Sequence, residues 1–208
     1  MLVVCTANIC RSPMTAALLA ARVAVAGEPV EISSAGLLPG GRPVPPEVLV
    51  VMGERGMDLS GHVSRRLERP MLSADLVIGM EHRHVRECVV LDGSAWPRTF
   101  TLRELVGRGE SMGPGGSRVR GEPVASWLER LHAGRDRAAL ARPSSDADVA
   151  DPYGGPLDGY RATAAELADL VDRLARLAWP ATGRGPAAPA TGRGPGEPGA
   201  PDPVPSPS

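Results

Sequence analysis

The chain has 208 residues, enough for one well-packed domain with some additional sequence. Its 23 basic and 24 acidic residues nearly cancel, so the net charge of -1 indicates binding neither to nucleic acid nor to an anionic membrane surface. The apolar runs are far shorter than the ~20 residues of a membrane-spanning helix. Residues 1–4 run into a polar motif without the pattern of a signal peptide, and we therefore expect a cytoplasmic protein.

The pattern along the chain alternates between short apolar runs and helical periodicity. Ser12 followed by Pro13 predicts a helix start, with Ser12 as the N-cap. This alternation predicts an α/β fold in which helices cover both faces of a parallel sheet. The predicted strands are 2–4, 30–33, 76–79 and 98–101, and the predicted helices are 14–26, one opening at 45–46 and ending near 56, 81–89, 124–141 and 160–177.

Composition divides the chain into a domain and a tail. We expect a catalytic domain over 1–178, in which the glycine-rich segment 107–123 is a flexible loop insertion. Residues 179–208 are rich in Pro, Gly and Ala, and a seven-residue sequence at 180–186 recurs at 189–195. Such a segment cannot bury enough apolar surface to offset the entropy of ordering, so a disordered tail is predicted.

A cysteine near the start of the chain carries the main chemical signal. Cys5 follows the first predicted strand, and Arg11 lies six positions later at the start of the first helix. A loop that closes onto a helix N-terminus presents backbone N–H groups and partial positive charge to an anion, and it also stabilises a thiolate. Arg11 can hold two phosphate oxygens, and Ser12 can donate its hydroxyl to the sulfur of Cys5. The motif predicts phosphoryl transfer to Cys5.

Departure of an alkoxide or phenoxide from such a phosphate requires a proton donor. Asp151, in the sequence Asp-Pro-Tyr, is our candidate for the general acid that later activates water. Asp-Pro is also an ordinary turn, and Asp146 and Asp148 are the alternative acids.

These motifs resemble the bacterial low-molecular-weight protein-tyrosine phosphatases over residues 2–177. The resemblance implies a four-stranded, mostly parallel, doubly wound sheet, with Cys5 as nucleophile, Arg11 as phosphate clamp and Asp151 as general acid and base. It further implies that Asn8, Ser34 and His62 form a network that holds the loop. We expect the substrate to contact the loop residues and the tyrosine after the acid, namely Thr6, Ala7, Asn8, Ile9, Cys10, Ser12 and Tyr153. The segments that carry the resemblance are 4–13, 33–36, 56–62, 74–76 and 151–153.

Two departures from the family pattern bear on the substrate. The family usually has Gly at the position of Ala7, and Ala would be strained there if the position needs a positive φ. An aromatic residue that commonly lines the cleft is replaced within 37–39 by Leu-Leu-Pro. These two departures therefore leave the substrate preference open.

The function expected from the sequence is hydrolysis of phosphomonoesters through a phosphocysteine, with protein phosphotyrosine as the first choice of substrate. A bacterial tyrosine kinase or its target is the partner that this choice suggests. The alternatives are a thiol-dependent arsenate reductase of the same fold and a phosphate-binding regulator without turnover. No cofactor or metal site is predicted, because the three cysteines do not show zinc-ligand spacing.

The second cysteine of the loop has two interpretations. Cys10 can form a reversible disulfide with an oxidised Cys5, or it can pack beneath the loop as a small apolar residue. Cys88, on a predicted helix, is expected to be a core residue.

Overall fold

The computed structural model describes residues 1–142 and 144–180 of the chain. Almost all of the tail predicted for 179–208 lies outside the described residues. The division into a 1–178 domain and a tail therefore remains a prediction.

Four parallel strands form the central sheet in the order β2-β1-β3-β4. Residue Val3 of β1 pairs with Ser34 of β2 and with Ile78 of β3. The predicted α/β fold with a four-stranded parallel sheet is confirmed. The strands are β1 Leu2–Cys5, β2 Ser33–Gly36, β3 Val77–Gly79 and β4 Thr99–Thr101.

The second strand begins three residues later than the 30–33 predicted from the sequence. Small residues, rather than the preceding apolar ones, pair with β1 because the strand runs directly beneath the loop that follows Cys5. A Cβ atom added to Gly36 would lie 2.7 Å from the backbone nitrogen of Asn8, so a larger residue does not fit there.

Six α-helices surround the sheet in the described part of the chain. They are α1 Arg11–Ala26, α2 Pro46–Gly53, α3 His82–Leu91, α4 Leu102–Ser111, α5 Val124–His132 and α6 Leu157–Ala178.

The prediction that Ser12 caps the first helix is wrong. Helix α1 begins at Arg11, its N-cap is Cys10, and the Cys10 side chain makes no capping hydrogen bond. Pro13 still lies in the first turn, where its missing N–H costs nothing. The hydroxyl of Ser12 is free for another use, because it sits inside the helix rather than ahead of it.

The flexible-loop prediction for 107–123 is wrong for residues 107–111, which form the end of α4. Gly109 packs so tightly on α6 that an added Cβ would lie 2.6 Å from Leu177 Cδ1. The remainder of the segment is tied down by Trp127, whose indole N–H donates to the carbonyl of Gly116 at 2.8 Å. These glycines serve close packing, which composition alone does not distinguish from flexibility.

The helix predicted over 124–141 is two elements. Helix α5 ends at His132, and Gly134 then adopts a left-handed φ of +75°. A short 3₁₀ turn, Arg137–Ala141, completes the segment.

Alternate residues of β1 point into separate layers of core on the two faces of the sheet. Val3 and Cys5 lie in the larger layer with α1 and α6, whereas Leu2 and Val4 lie in the smaller layer with Cys88 of α3. The strand order changes direction at β1, so a crevice opens beyond the carboxyl ends of β1 and β3. Of the helices in residues 1–142 and 144–180, none is long and apolar enough to span a bilayer.

Candidate active site

The loop after β1 is held by the segment that extends β2. The backbone N–H of Leu37 donates to the carbonyl of Cys5 at 3.2 Å, and that of Leu38 donates to the carbonyl of Thr6 at 2.9 Å. The loop then enters α1 at Arg11, so the positive end of the helix dipole faces it. The sequence predicts an anion cradle at this position, and the backbone there has the required strand, loop and helix order.

The sulfur of Cys5 is buried, with 3% of the residue exposed. The Ser12 hydroxyl lies 3.0 Å from Sγ, and the backbone N–H of Asn8 donates to Sγ at 3.2 Å. Donors at these distances stabilise negative charge on the sulfur. Negative charge on Sγ would therefore have two hydrogen-bonding partners in this loop.

A set of uncharged contacts centred on Asn8 lies beneath the loop. The side-chain amide donates to the hydroxyls of Ser12 at 2.9 Å and Ser34 at 2.8 Å, and its oxygen accepts from the backbone N–H of Arg65 at 2.9 Å. His62 Nε2 lies 2.7 Å from the carbonyl of Asn8. We call these five residues the amide network. The resemblance implied three of its members, and the structure brings them together.

The positive φ that the sequence analysis considered for Ala7 occurs instead at Asn8. With φ of 55°, Asn8 is the one non-glycine residue with positive φ in the described ranges. Asn tolerates this left-handed conformation better than most residues, and its side-chain bonds fix it. Ala7 is therefore not strained.

Arg11 is almost completely buried, with 1% of its side chain exposed, and two carboxylates hold it. Its Nη1 lies 2.5 Å from Oε1 of Glu81 and also donates to the carbonyl of Val149 at 2.9 Å. Its Nη2 donates to Oδ2 of Asp151 at 2.6 Å. The guanidinium is thus directed towards the acid predicted from the Asp-Pro-Tyr motif, 140 residues away.

A second arginine, Arg83, shares Glu81 and the hydroxyl of Thr6 with Arg11. Arg83 Nε lies 2.5 Å from the other oxygen of Glu81, and Arg83 Nη2 lies 2.5 Å from the hydroxyl of Thr6. Arg11 Nη2 approaches the same hydroxyl at 3.4 Å. We call Thr6, Arg11, Glu81, Arg83 and Asp151 the charged network. Burial raises the pKa of Glu81, but the neighbouring groups, Arg11 foremost, together outweigh it, so this pKa lies below its ordinary value.

The ring of His84 completes the support of Thr6. His84 Nε2 lies 3.1 Å from the Thr6 hydroxyl, and the residue is fully buried. Because the hydroxyl oxygen accepts from two arginines, its proton is left to donate to Nε2. Burial lowers the pKa of His84 to about 3, so the ring is neutral at physiological pH.

Asp151 is positioned by the turn between β3 and α3. The backbone N–H of Val149 donates to the carbonyl of Met80 at 2.8 Å. Asp148 accepts from the backbone N–H of His82 at 2.6 Å, so this carboxylate is engaged at the start of α3. Asp146 and Asp148 are absent from the lining of the pocket at Cys5, among the described residues.

The pocket above Cys5 has a volume of about 120 Å³. Its mouth carries Arg42, whose Nη2 donates to the phenol oxygen of Tyr153 at 3.0 Å. The lining residues are Cys5, Thr6, Ala7, Ile9, Cys10, Arg11, Leu38, Arg42, Asp151 and Tyr153. Asn8 and Ser12, which the sequence placed among the substrate-binding residues, are fully buried and face the amide network instead.

Sequence reasoning missed Arg42, Glu81, Arg83 and His84. The last three follow β3 directly, and the carboxyl ends of parallel strands share one edge of the sheet. A charged sequence, Glu-His-Arg-His, immediately after a buried strand was the signal that could have identified them.

The other two cysteines are buried thiols without a disulfide. Burial, together with the nearby Asp151 carboxylate, raises the pKa of Cys10 to about 12. Burial also raises the pKa of Cys88 to about 12. A raised pKa slows the attack of Cys10 on an oxidised Cys5, because the thiolate is the stronger nucleophile. The choice between packing and redox chemistry for Cys10 remains a prediction.

Comparisons with known proteins agree on one family. Residues 1–112 match the family model described as low molecular weight phosphotyrosine protein phosphatase. The chain is 32% identical over 176 residues to a protein-arginine-phosphatase of Bacillus subtilis, covering 83% of this chain and 92% of that protein. It is 40% identical over 105 residues to a probable low molecular weight protein-tyrosine-phosphatase of Ralstonia nicotianae, covering 50% of this chain and 70% of that protein.

A solved structure gives the same relationship. The low molecular weight protein tyrosine phosphatase from T. tengcongensis superposes with a TM-score of 0.62 at 32% identity, covering 83% of this chain and 95% of that chain.

Proposed function

The chain belongs to the low molecular weight phosphotyrosine protein phosphatase family and is a phosphatase, and we propose that it removes phosphate from tyrosine residues of proteins. The substrates that we propose are phosphoproteins such as a bacterial tyrosine kinase or one of its targets. The observation that carries the proposal is the placement of Cys5 Sγ in a loop that ends on the buried guanidinium of Arg11.

In the first step the thiolate of Cys5 attacks phosphorus. The bond between phosphorus and sulfur forms as the bond to the phenol oxygen breaks, and Asp151 protonates the leaving oxygen. Arg11 binds two equatorial oxygens of the transferring group, where negative charge persists in the transition state. This step releases the dephosphorylated tyrosine and leaves phosphocysteine.

In the second step water replaces the sulfur. The carboxylate of Asp151 takes a proton from the water as its oxygen attacks phosphorus, and the thiolate departs. The Ser12 hydroxyl, 3.0 Å from Sγ, stabilises the departing sulfur by donating a hydrogen bond. Inorganic phosphate then dissociates and the enzyme returns to its starting state.

Phosphate binding requires Arg11 to exchange a partner. Its Nη2 donates to Asp151 at 2.6 Å, whereas its contact with Glu81 is on the other nitrogen. A phosphate oxygen can replace Asp151 on Nη2 while Glu81 keeps the guanidinium in place.

The walls of the pocket support phosphotyrosine as the substrate. The side chains of Ile9 and Leu38 and the ring of Tyr153 offer apolar surface to an aromatic ring. Arg42 adds a cation at the mouth. A phosphorylated guanidinium group would bring several N–H donors against apolar side chains, and leaving such donors unpaired is costly.

Phosphoarginine is the second candidate. The relative from Bacillus subtilis is named a protein-arginine-phosphatase and aligns over 176 residues, whereas the tyrosine-phosphatase relative aligns over 105. The carboxylate of Asp151 in the pocket lining is an acceptor that a guanidinium could use.

Arsenate reduction and phosphate binding without turnover have less support. Arsenate reduction needs thiols that relay electrons, but Cys10 and Cys88 are both buried with raised pKa values. A regulator without turnover would not need the nucleophile, clamp and acid that meet in this pocket.

The test compares two peptides of identical sequence that carry either phosphotyrosine or phosphoarginine. We expect kcat/KM to be higher for the phosphotyrosine peptide, and Cys5→Ser to hydrolyse neither. A higher kcat/KM for phosphoarginine would replace the tyrosine proposal, and appreciable turnover by Cys5→Ser would contradict the covalent mechanism. Thiol oxidation that depends on arsenate, measured alongside, would support the reductase.

A further inference from the structure

Two side chains, those of Glu81 and Thr6, each bridge the guanidinium groups of Arg11 and Arg83. Glu81 gives one carboxylate oxygen to Arg11 and the other to Arg83, each at 2.5 Å. The hydroxyl of Thr6 then accepts from both, at 3.4 Å from Arg11 Nη2 and 2.5 Å from Arg83 Nη2. Two bridges of this kind fix the position of the second guanidinium relative to the phosphate clamp.

The two arginines differ in their access to solvent. Arg11 has 1% of its side chain exposed, whereas Arg83 has 53% exposed. Arg83 uses Nε and Nη2 for its two bridges, and its Nη1 has no acceptor among the described residues. An outer, half-exposed guanidinium is thus held at two points and keeps donors without a partner among the described residues.

The end of α3 that carries Arg83 already has a positive helix dipole. Arg83 lies in the first turn of α3, so its charge opposes the helix dipole. Two carboxylates lie at the same helix end, namely the N-cap residue Glu81 and Asp148, which accepts from the backbone N–H of His82. The N-terminus of α1 adds a further positive end beside it. Asp151 pairs with Arg11 alone, so Glu81, which Arg83 shares with Arg11, is the one carboxylate in contact with Arg83 among the described residues.

We propose that Arg83 is a specificity residue that binds a carboxylate of the substrate protein beside the phosphorylated side chain. This inference rests on the proposed hydrolysis of phosphoproteins and narrows it to phosphorylated residues with acidic neighbours. The phosphate group of the substrate binds at the buried Arg11 and Cys5, and the Thr6 hydroxyl lies between Arg11 and Arg83. The next anionic group along the substrate is therefore the one that Arg83 meets. A fixed guanidinium also loses little entropy when it pairs with a carboxylate.

The test measures kcat/KM for three phosphotyrosine peptides that differ only at the two residues flanking the phosphotyrosine, which are Glu, Gln or Lys. For wild type at low salt we expect the Glu peptide to exceed the Gln peptide by about 5- to 10-fold, and this ratio should shrink as salt is raised. The ratio is the readout, because Arg83 also contacts groups of the active site and its replacement can change all rates together.

Arg83→Gln should bring the ratio of the Glu to the Gln peptide close to one, and Arg83→Glu should favour the Lys peptide. Arg86→Gln is the matched control, because Arg86 is equally exposed on the same helix but pairs with its neighbour Glu87. It should keep the wild-type ratio.

Three results would overturn the inference. They are equal rates for Glu and Gln peptides in wild type, a wild-type ratio in Arg83→Gln, or an equal loss of the ratio in Arg86→Gln, which would indicate long-range attraction instead of contact. Failure of the proposed function is distinct, because all three phosphotyrosine peptides would then resist hydrolysis. In that case the test would use phosphoarginine peptides with Glu, Gln or Lys at the same two flanking positions.

Discussion

The amide network and the charged network hold the same loop in different ways. Asn8, Ser12 and Ser34 of the amide network are buried, and the bonds that join its members contain no carboxylate. The charged network joins Arg11 to two carboxylates, and in the mechanism that we propose Asp151 leaves Arg11 when phosphate binds. We therefore expect the first network to fix the position of the loop and the second to supply the charges that change partners during the proposed reaction. Substitutions in the first should therefore lower stability most, and substitutions in the second should lower activity most.

Replacement of the nucleophile gives the largest expected effect on activity. Cys5→Ser should lower kcat by roughly 10⁴-fold or more, because a hydroxyl does not ionise in the loop as a thiol does. The fold should persist, since serine has nearly the same size. Phosphate release and thermal unfolding, measured on one preparation, check both statements. A folded Cys5→Ser protein with residual turnover within about tenfold of wild type would contradict the role of Cys5.

Arg11→Lys tests the charged network at its centre. We expect a loss of about 10³-fold in kcat/KM, because a lysine cannot bind two phosphate oxygens in the plane of a fork while also contacting Glu81. Arg22→Lys on the same helix is the control, since Arg22 pairs with Asp172 at the surface. Similar activities for the two variants would remove Arg11 from phosphate binding.

Asp151→Asn tests the carboxylate that changes partners. Hydrolysis of phosphotyrosine should fall by about 10²-fold, whereas an aryl phosphate with a better leaving group should lose less because it needs less protonation on departure. The ratio of the two losses is the measurement. Equal losses for both substrates would assign the acid role to another group.

Asn8→Ala tests the amide network. The change removes three side-chain hydrogen bonds, and we expect the free energy of unfolding to fall by about 3 kcal/mol. Asn8→Gly loses the same bonds but accepts the φ of 55°, so it should be the more stable of the two variants by about 1 kcal/mol. Urea denaturation gives both values. An alanine variant as stable as wild type would show that the network is dispensable.

His84 gives the smallest effect, which is a dependence of stability on pH. Its pKa is about 3 in the folded protein because of burial, whereas an unfolded histidine has a pKa of about 6.5. The unfolded chain therefore binds the extra proton first, and the stabilising contribution of the neutral ring is lost as pH falls from about 6.5 towards 3. Between pH 7 and pH 5 wild type should lose about 2 kcal/mol more than His84→Asn. Parallel pH profiles for the two proteins would contradict a buried neutral ring.

The unit formed by β1, the loop and α1 can be predicted from the amino-acid sequence alone. Six positions separate Cys5 from Arg11, and the loop lies between an apolar strand and a helix-forming run, so local spacing places both at one anion site. The alternation of strands and helices likewise predicts the parallel sheet, because helices that connect parallel strands cover both faces of the sheet.

The partners of that unit depend on the tertiary structure. Glu81 and Asp151 contact Arg11 although they lie 70 and 140 residues from it in the sequence. Gly36 is required because a Cβ at this position would lie 2.7 Å from the backbone nitrogen of Asn8. Local propensity contains no information on such contacts, which depend on how the strand ends meet at one edge of the sheet. For the same reason local pattern predicts Ser12 as a helix cap, although the folded chain uses its hydroxyl on the sulfur of Cys5.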